Sequence, residues 1–92
     1  MAITFDAAKR ERTLAERGLD FKDAEDVFGG LLIEFPDTRR NYGEDRIVTV
    51  GFLGGRMVVL VWTWRGENRH LISMRKANAR EQGRYGEQLG RS

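Results

Sequence analysis

Ile47-Val48-Thr49-Val50-Gly51-Phe52-Leu53-Gly54-Gly55-Arg56-Met57-Val58-Val59-Leu60-Val61-Trp62-Thr63-Trp64 is the stretch on which the fold turns. Two runs rich in β-branched and aromatic residues flank a Gly-Gly pair. That pattern predicts a β-hairpin, because both glycines tolerate the positive φ that a two-residue turn requires. From Met57 to Trp62 the run is apolar without alternation, which predicts a central strand covered on both faces.

Working outward, Arg65-Gly66-Glu67-Asn68 makes a second turn into Arg69-His70-Leu71-Ile72-Ser73-Met74, extending the hairpin into an antiparallel meander. Upstream, Leu31-Leu32-Ile33-Glu34-Phe35 reads as a strand halted by Pro36. Two short helices precede it. Asp6 caps the first, which ends at Gly18, and Phe21, Ala24, Val27 and Phe28 recur at helical spacing after Asp20, up to Gly29-Gly30. From Ala77 to about Leu89 the composition is helical but weakly apolar, and Gly83 and Gly86 each cost about 1 kcal/mol relative to Ala inside a helix. The expected architecture is α+β, with two N-terminal helices, an antiparallel sheet of three to four strands and a C-terminal helix. All of residues 1–92 are expected to form one domain.

Composition excludes several classes of chemistry. The 92 residues include no cysteine, which removes disulfides, thiolate nucleophiles and cysteine-ligated zinc, and points to a reducing compartment. The N-terminus lacks the basic and apolar segments of a signal peptide, and no window approaches the ~20 apolar residues of a membrane span. A cytoplasmic location, with no membrane partner, is the expectation. One histidine and scattered carboxylates offer no metal-ligand spacing, so neither a metal nor another cofactor is expected. Gly54-Gly55 is a turn and not a phosphate loop, since no helix follows it.

Net charge is only +2, although 33% of the residues are charged. Distribution matters more than the sum. From Arg56 onward arginine and lysine outnumber the three acids Glu67, Glu81 and Glu87, whereas Asp20, Asp23, Glu25 and Asp26 crowd the other half. A basic half suits a polyanion such as RNA.

Short motifs recur in a particular order. They are Phe5-Asp6-x-x-Lys9, Gly18-x-x-Phe21, Ala24-x-x-Val27-Phe28, Asp37-x-Arg39, Gly43-Glu44-x-Arg46, Gly51, Val61-Trp62-Thr63-x-Arg65, Ile72-Ser73-x-Arg75-Lys76-Ala77, and then Glu81 and Tyr85. Along nearly its whole length the sequence thereby resembles the BrnT family of toxins, small proteins akin to RelE-type ribonucleases. The resemblance implies a RelE-like fold and the toxin of a type II toxin–antitoxin module, a metal-independent endoribonuclease that inhibits translation. It also implies a BrnA-like antitoxin with a ribbon-helix-helix DNA-binding domain, which neutralises the toxin by covering its basic C-terminal surface. DNA would then be bound only through that antitoxin. The chain departs from the family pattern at Glu16-Arg17-Gly18, where Lys-His-Gly is usual, at Arg40, where a histidine often follows Asp-x-Arg, and at His70, where the family often has arginine.

RNA is cut without metal when its 2′-hydroxyl attacks the adjacent phosphate, which requires removal of a proton, cations on the phosphorane oxygens and a proton for the leaving oxygen. Arg75 and Lys76, at the junction of the last strand and the C-terminal helix, and Arg65, at a strand end, are candidates for the charge and proton-donor roles. His70 is a candidate acid or base. Each has a structural alternative: for Arg75 an ion pair to Glu81 anchoring the helix, for Lys76 a solvated side chain, for Arg65 a turn residue, for His70 a packing role. Arg69, Arg80 and Tyr85 are candidate RNA contacts, with Tyr85 able either to stack on a base or to pack on the sheet. Trp62 and Trp64 share one sheet face, where core packing outweighs base stacking. Two other functions fit the same residues: a non-catalytic RNA- or ribosome-binding module, and a RelE-superfold toxin with a protein target such as gyrase.

Overall fold

The computed structural model describes residues 2–90. In chain order they form β1 (Ile3–Phe5), α1 (Ala7–Arg17), a 3-10 turn (Phe21–Asp23), α2 (Ala24–Phe28), β2 (Ile33–Pro36), β3 (Arg46–Leu53), β4 (Arg56–Arg65), β5 (Asn68–Lys76) and α3 (Ala79–Gly86). The strands make one five-stranded sheet in the order β1-β5-β4-β3-β2. Strands β2 to β5 pair antiparallel, while β1 runs parallel to β5, placing Ile3 beside Arg69 and Phe5 beside Leu71.

This corrects the expected antiparallel sheet of three to four strands beneath two N-terminal helices. The sheet is mixed and five-stranded, and three short helices accompany it. The physical reason lies in β1. Three residues are too few to display a period, and Phe5-Asp6 already reads as the approach to a helix cap. A parallel partner needs a long crossover, here most of the chain, so nothing local announces the pairing.

Local chemistry explains most other boundaries. The Asp6 carboxylate accepts from the Ala8 and Lys9 amides to start α1, and Gly18, at φ 68°, ends it in the left-handed conformation. Gly54 and Gly55 both carry positive φ, 57° and 78°, as the hairpin between β3 and β4 demands. Asn78 and Glu81 form a reciprocal capping box at the start of α3, which anchors a helix of low intrinsic propensity. A bulge between β4 and β5 at Val61/Trp62 shifts the register, so Leu71 and Met74, three apart, pack on the same face of the sheet.

Strand β4 is the centre of the molecule, buried from Met57 through Thr63. On one face Val58, Leu60 and Trp62 pack with Phe21, Ala24 and Val27 of the helical segment and with Leu71 and Met74. On the other, Met57, Val59 and Val61 join Val48, Val50, Ala77 and Leu89. The buried Trp62 Nε1 donates to Thr49 Oγ1 at 2.8 Å, and that hydroxyl donates to Glu34 at 2.7 Å, so the indole N–H enters the core with its partner. No helix of the described residues is long and apolar enough to cross a membrane.

Gly51 sets the approach of α2 to β3. A Cβ there would sit 2.8 Å from Val27 Cγ1, and valine has a single stiff χ1 with which to yield. Gly51→Ala should therefore lower the unfolding free energy by about 1–3 kcal/mol, read as a lower urea midpoint at unchanged slope. A midpoint equal to that of the parent would show that α2 packs less tightly than described.

Candidate active site

On the α3 side of the sheet, a cavity of about 320 Å³ opens between α3 and the segment that follows β2. Its floor is apolar, made by Val48, Val50, Val59 and Val61, and its walls carry Phe35, Asp37, Arg39, Ser73, Arg75, Glu81 and Tyr85. The alternation of the strands produces this division. Arg75 lies opposite Val59 and Ser73 opposite Val61, so all four side chains share the face that α3 only partly covers.

Two guanidinium groups line the cavity, each gripped by a carboxylate. Arg75 Nη1 and Nη2 donate to Glu81 Oε1 and Oε2, both at 2.7 Å. Arg39 Nε and Nη2 donate to Asp37 Oδ1 and Oδ2, both at 2.9 Å. The Asp37 side chain is 1% exposed while that of Arg39 is 67% exposed. A carboxylate buried to that degree needs its partner, whereas the arginine reaches outward. Neither pair uses Arg75 Nε or Arg39 Nη1.

The electrostatics follow from these forks. Hydrogen bonding to Arg75 holds the Glu81 carboxyl down at about 2, against burial, and hydrogen bonding to Arg39 likewise holds Asp37 at about 2. Glu81 raises the Arg75 pKa, while the neighbouring Arg39 charge lowers it. The two cations thus feel each other across one cavity. A carboxylate ionised this firmly is a poor proton acceptor near neutrality, so Glu81 orients Arg75 and does not shuttle protons.

Tyr85 stacks on Phe35, with ring centroids 5.9 Å apart and planes at 23°, so the packing alternative for Tyr85 is realised at the cavity wall. For Arg75, too, the structure contains the alternative ion pair to Glu81, and it places that pair in the cavity.

The other sequence-derived candidates do not converge on this point. Lys76 is exposed and sits with Arg56 and Gln82 beside the β3–β4 hairpin. Arg65 lies opposite Asn68, seven positions from Arg75 along β5, or about 23 Å at 3.3 Å per residue, and approaches Glu44 at 3.8 Å. His70 lies opposite Thr63, and its Nδ1 is 2.9 Å from Thr4 Oγ1 of β1; burial lowers its pKa, with the Arg65 charge next. Arg69 occupies the opposite face of the sheet, its guanidinium 4.2 Å from the Phe28 ring centroid. Arg80 is exposed on α3. Among the described residues no group of three His, Asp or Glu side chains gathers to hold a metal ion.

Asp37, Arg39, Phe35 and Ser73 are the cavity residues that no sequence-level role anticipated. Asp37-x-Arg39 was legible as a motif, and its i, i+2 spacing in an extended segment puts both side chains on one side. That the pair faces Arg75 depends on where β2 lies in the sheet.

The chain matches, over residues 5–81, the family described as the ribonuclease toxin BrnT of type II toxin–antitoxin systems. It belongs to the BrnT family. The function carried by that family is a ribonuclease toxin held in check by an antitoxin. The BrnT match spans both arginine forks and ends at Glu81; Tyr85 lies beyond it. No curated protein matches the chain.

The forks make stability dependent on acid. Glu81 and Asp37 ionise near 2 in the fold against 4.5 and 3.8 ordinarily. Because both are depressed, the stability they contribute is complete above about pH 5 and is lost as pH falls towards 2. The urea midpoint should fall across that window. Glu81→Gln should lower the midpoint at neutral pH and flatten the acid decline, leaving the part due to Asp37 and to Asp20, which hydrogen bonding to Arg10 also holds at about 2; a decline parallel to that of the parent would show that the Arg75 fork contributes nothing.

Proposed function

We propose that the cavity between α3 and the segment after β2 is where this toxin cleaves RNA, without a metal, by attack of a 2′-hydroxyl on the adjacent phosphate. In that reaction the 2′-O–P bond forms and the P–O5′ bond breaks. The 2′-hydroxyl loses its proton and the departing 5′-oxygen gains one, leaving a 2′,3′-cyclic phosphate and a 5′-hydroxyl. Charge accumulates on the non-bridging oxygens, and fixed donors aimed at them lower the barrier.

The observation that carries the proposal is the presence of two guanidinium groups, Arg75 and Arg39, on one cavity with an apolar floor. Arginine keeps its charge at all relevant pH values and presents a planar fork suited to phosphate oxygens. Arg75 is the principal clamp, pre-oriented by Glu81 from the capped start of α3. Arg39 is the second cation, and Tyr85, already in a ring stack with Phe35, offers a surface for a base. Arg80 on the exposed side of α3 adds steering charge. The outcome in the cell is inhibition of translation. The partner that neutralises the toxin is a BrnA-like ribbon-helix-helix protein, through which the complex reaches DNA, and the compartment is the cytoplasm.

Arg75→Ala should reduce RNA cleavage by about 10²-fold or more, the cost of one preorganised transition-state donor, while the protein stays folded. His70→Ala, remote from the cavity, should change the rate far less. Cleavage by the parent should persist in EDTA. Intact RNA bound but never cut by the parent would replace the nuclease reading with a binding module, and an unaltered rate for Arg75→Ala would remove the cavity from the mechanism.

A further inference from the structure

Arg69 lies on the face of the sheet opposite the cavity, and its surroundings are unlike those of the other arginines. Its guanidinium carbon is 4.2 Å from the Phe28 ring centroid, 5.0 Å from that of Trp62 and 5.8 Å from that of Trp64. Among the described residues no carboxylate pairs with it, and its buried Nε has no hydrogen-bond partner. Ring electrons compensate part of the charge. They do not replace an in-plane acceptor for the N–H fork.

A second cavity, of about 570 Å³, opens beside Arg69 and the outermost strand β1. Ile3, Phe5, Phe21 and Phe28 make its apolar lining, and Lys22 and Glu25 are the charged side chains that line it with Arg69. Trp64, 48% exposed, stands next to Arg69 on the neighbouring strand. Large apolar side chains around a guanidinium that, among the described residues, no carboxylate pairs match one kind of occupant, a carboxylate flanked by apolar groups. A nucleic acid is matched less well here than at the α3 cavity, because one guanidinium, Arg69, lines this cavity against two, Arg39 and Arg75, in the other, so a phosphate backbone meets fewer planar donor forks.

We propose that this cavity anchors the antitoxin, which inserts an acidic residue between apolar side chains, its carboxylate accepting from Arg69 and facing Lys22. The inference rests on the toxin–antitoxin reading and adds to it a place. A grip on this face lets the antitoxin hold the toxin through a surface that RNA does not use, so the two do not compete for every contact.

The test is calorimetric titration of the purified toxin with the antitoxin encoded in its own module, comparing the parent with Arg69→Gln and Lys22→Glu. Lys22 is exposed, so Lys22→Glu reverses charge at the cavity without disturbing the core. Each variant should bind the antitoxin about tenfold or more weakly, as expected for loss of a charge-assisted contact at an interface anchor. Lys22→Glu should cleave RNA at the parental rate when antitoxin is absent. Affinity within about twofold of the parent for both variants, or a loss of RNA cleavage matching the loss of antitoxin binding, overturns the proposal, the latter by making the face an RNA surface. Failure of the parent toxin to bind the antitoxin at all would overturn the toxin–antitoxin reading itself, and this site with it.

Discussion

Strand β4 must be covered on both faces, and the rest of the molecule answers that requirement. Its run from Met57 to Trp62 has no polar side to turn to water, so a two-layer arrangement with one solvated face is closed to it. The N-terminal segment covers one face through Phe21, Ala24 and Val27, and α3 with Leu89 covers part of the other. The covers are unequal. Eight residues of helix span about 12 Å, whereas five strands at ~4.8 Å spacing present a face about 19 Å wide. The valines that α3 does not reach become the floor of a cavity.

That geometry explains why the cavity is apolar beneath and charged at its sides. Residues on β4 and β3 that point towards α3 are those the core selected, while the segment after β2 and the start of α3 contribute the polar walls. The charge there is prearranged but nearly balanced, since each cation is already gripped by a carboxylate. Rigidity is what this arrangement contributes. An arginine held by two short hydrogen bonds loses less freedom when phosphate arrives than one that waves in solvent.

The two faces of the sheet therefore differ in chemistry. The α3 face carries compensated arginines over aliphatic side chains, whereas the helical face carries Arg69 among aromatic rings with no carboxylate partner among the described residues. The exposed Trp64 belongs to the second face, packed edge-on to Trp62 at 5.0 Å. Core packing accounts for Trp62; exposure leaves Trp64 half available for contact.

What the sequence determined by itself were features written over a few neighbouring residues. The Asp6 cap, the Gly18 stop, the Gly54-Gly55 hairpin and the doubly buried run of β4 are all local, because caps and turns depend on individual φ angles and side-chain reach. The family pattern was legible for a related reason, since ordered short motifs survive without knowledge of their contacts. Tertiary structure alone decided that β1 pairs parallel with β5, that Arg39 and Asp37 meet the Arg75–Glu81 fork, and that Arg65 lies at the far end of the strand from Arg75. Antiparallel pairing separates residues that strand-end arguments would group, and the β4–β5 bulge reverses which side chains share a face. Such relations depend on register between segments distant in the chain, and register is carried by the assembled sheet rather than by any one stretch of residues.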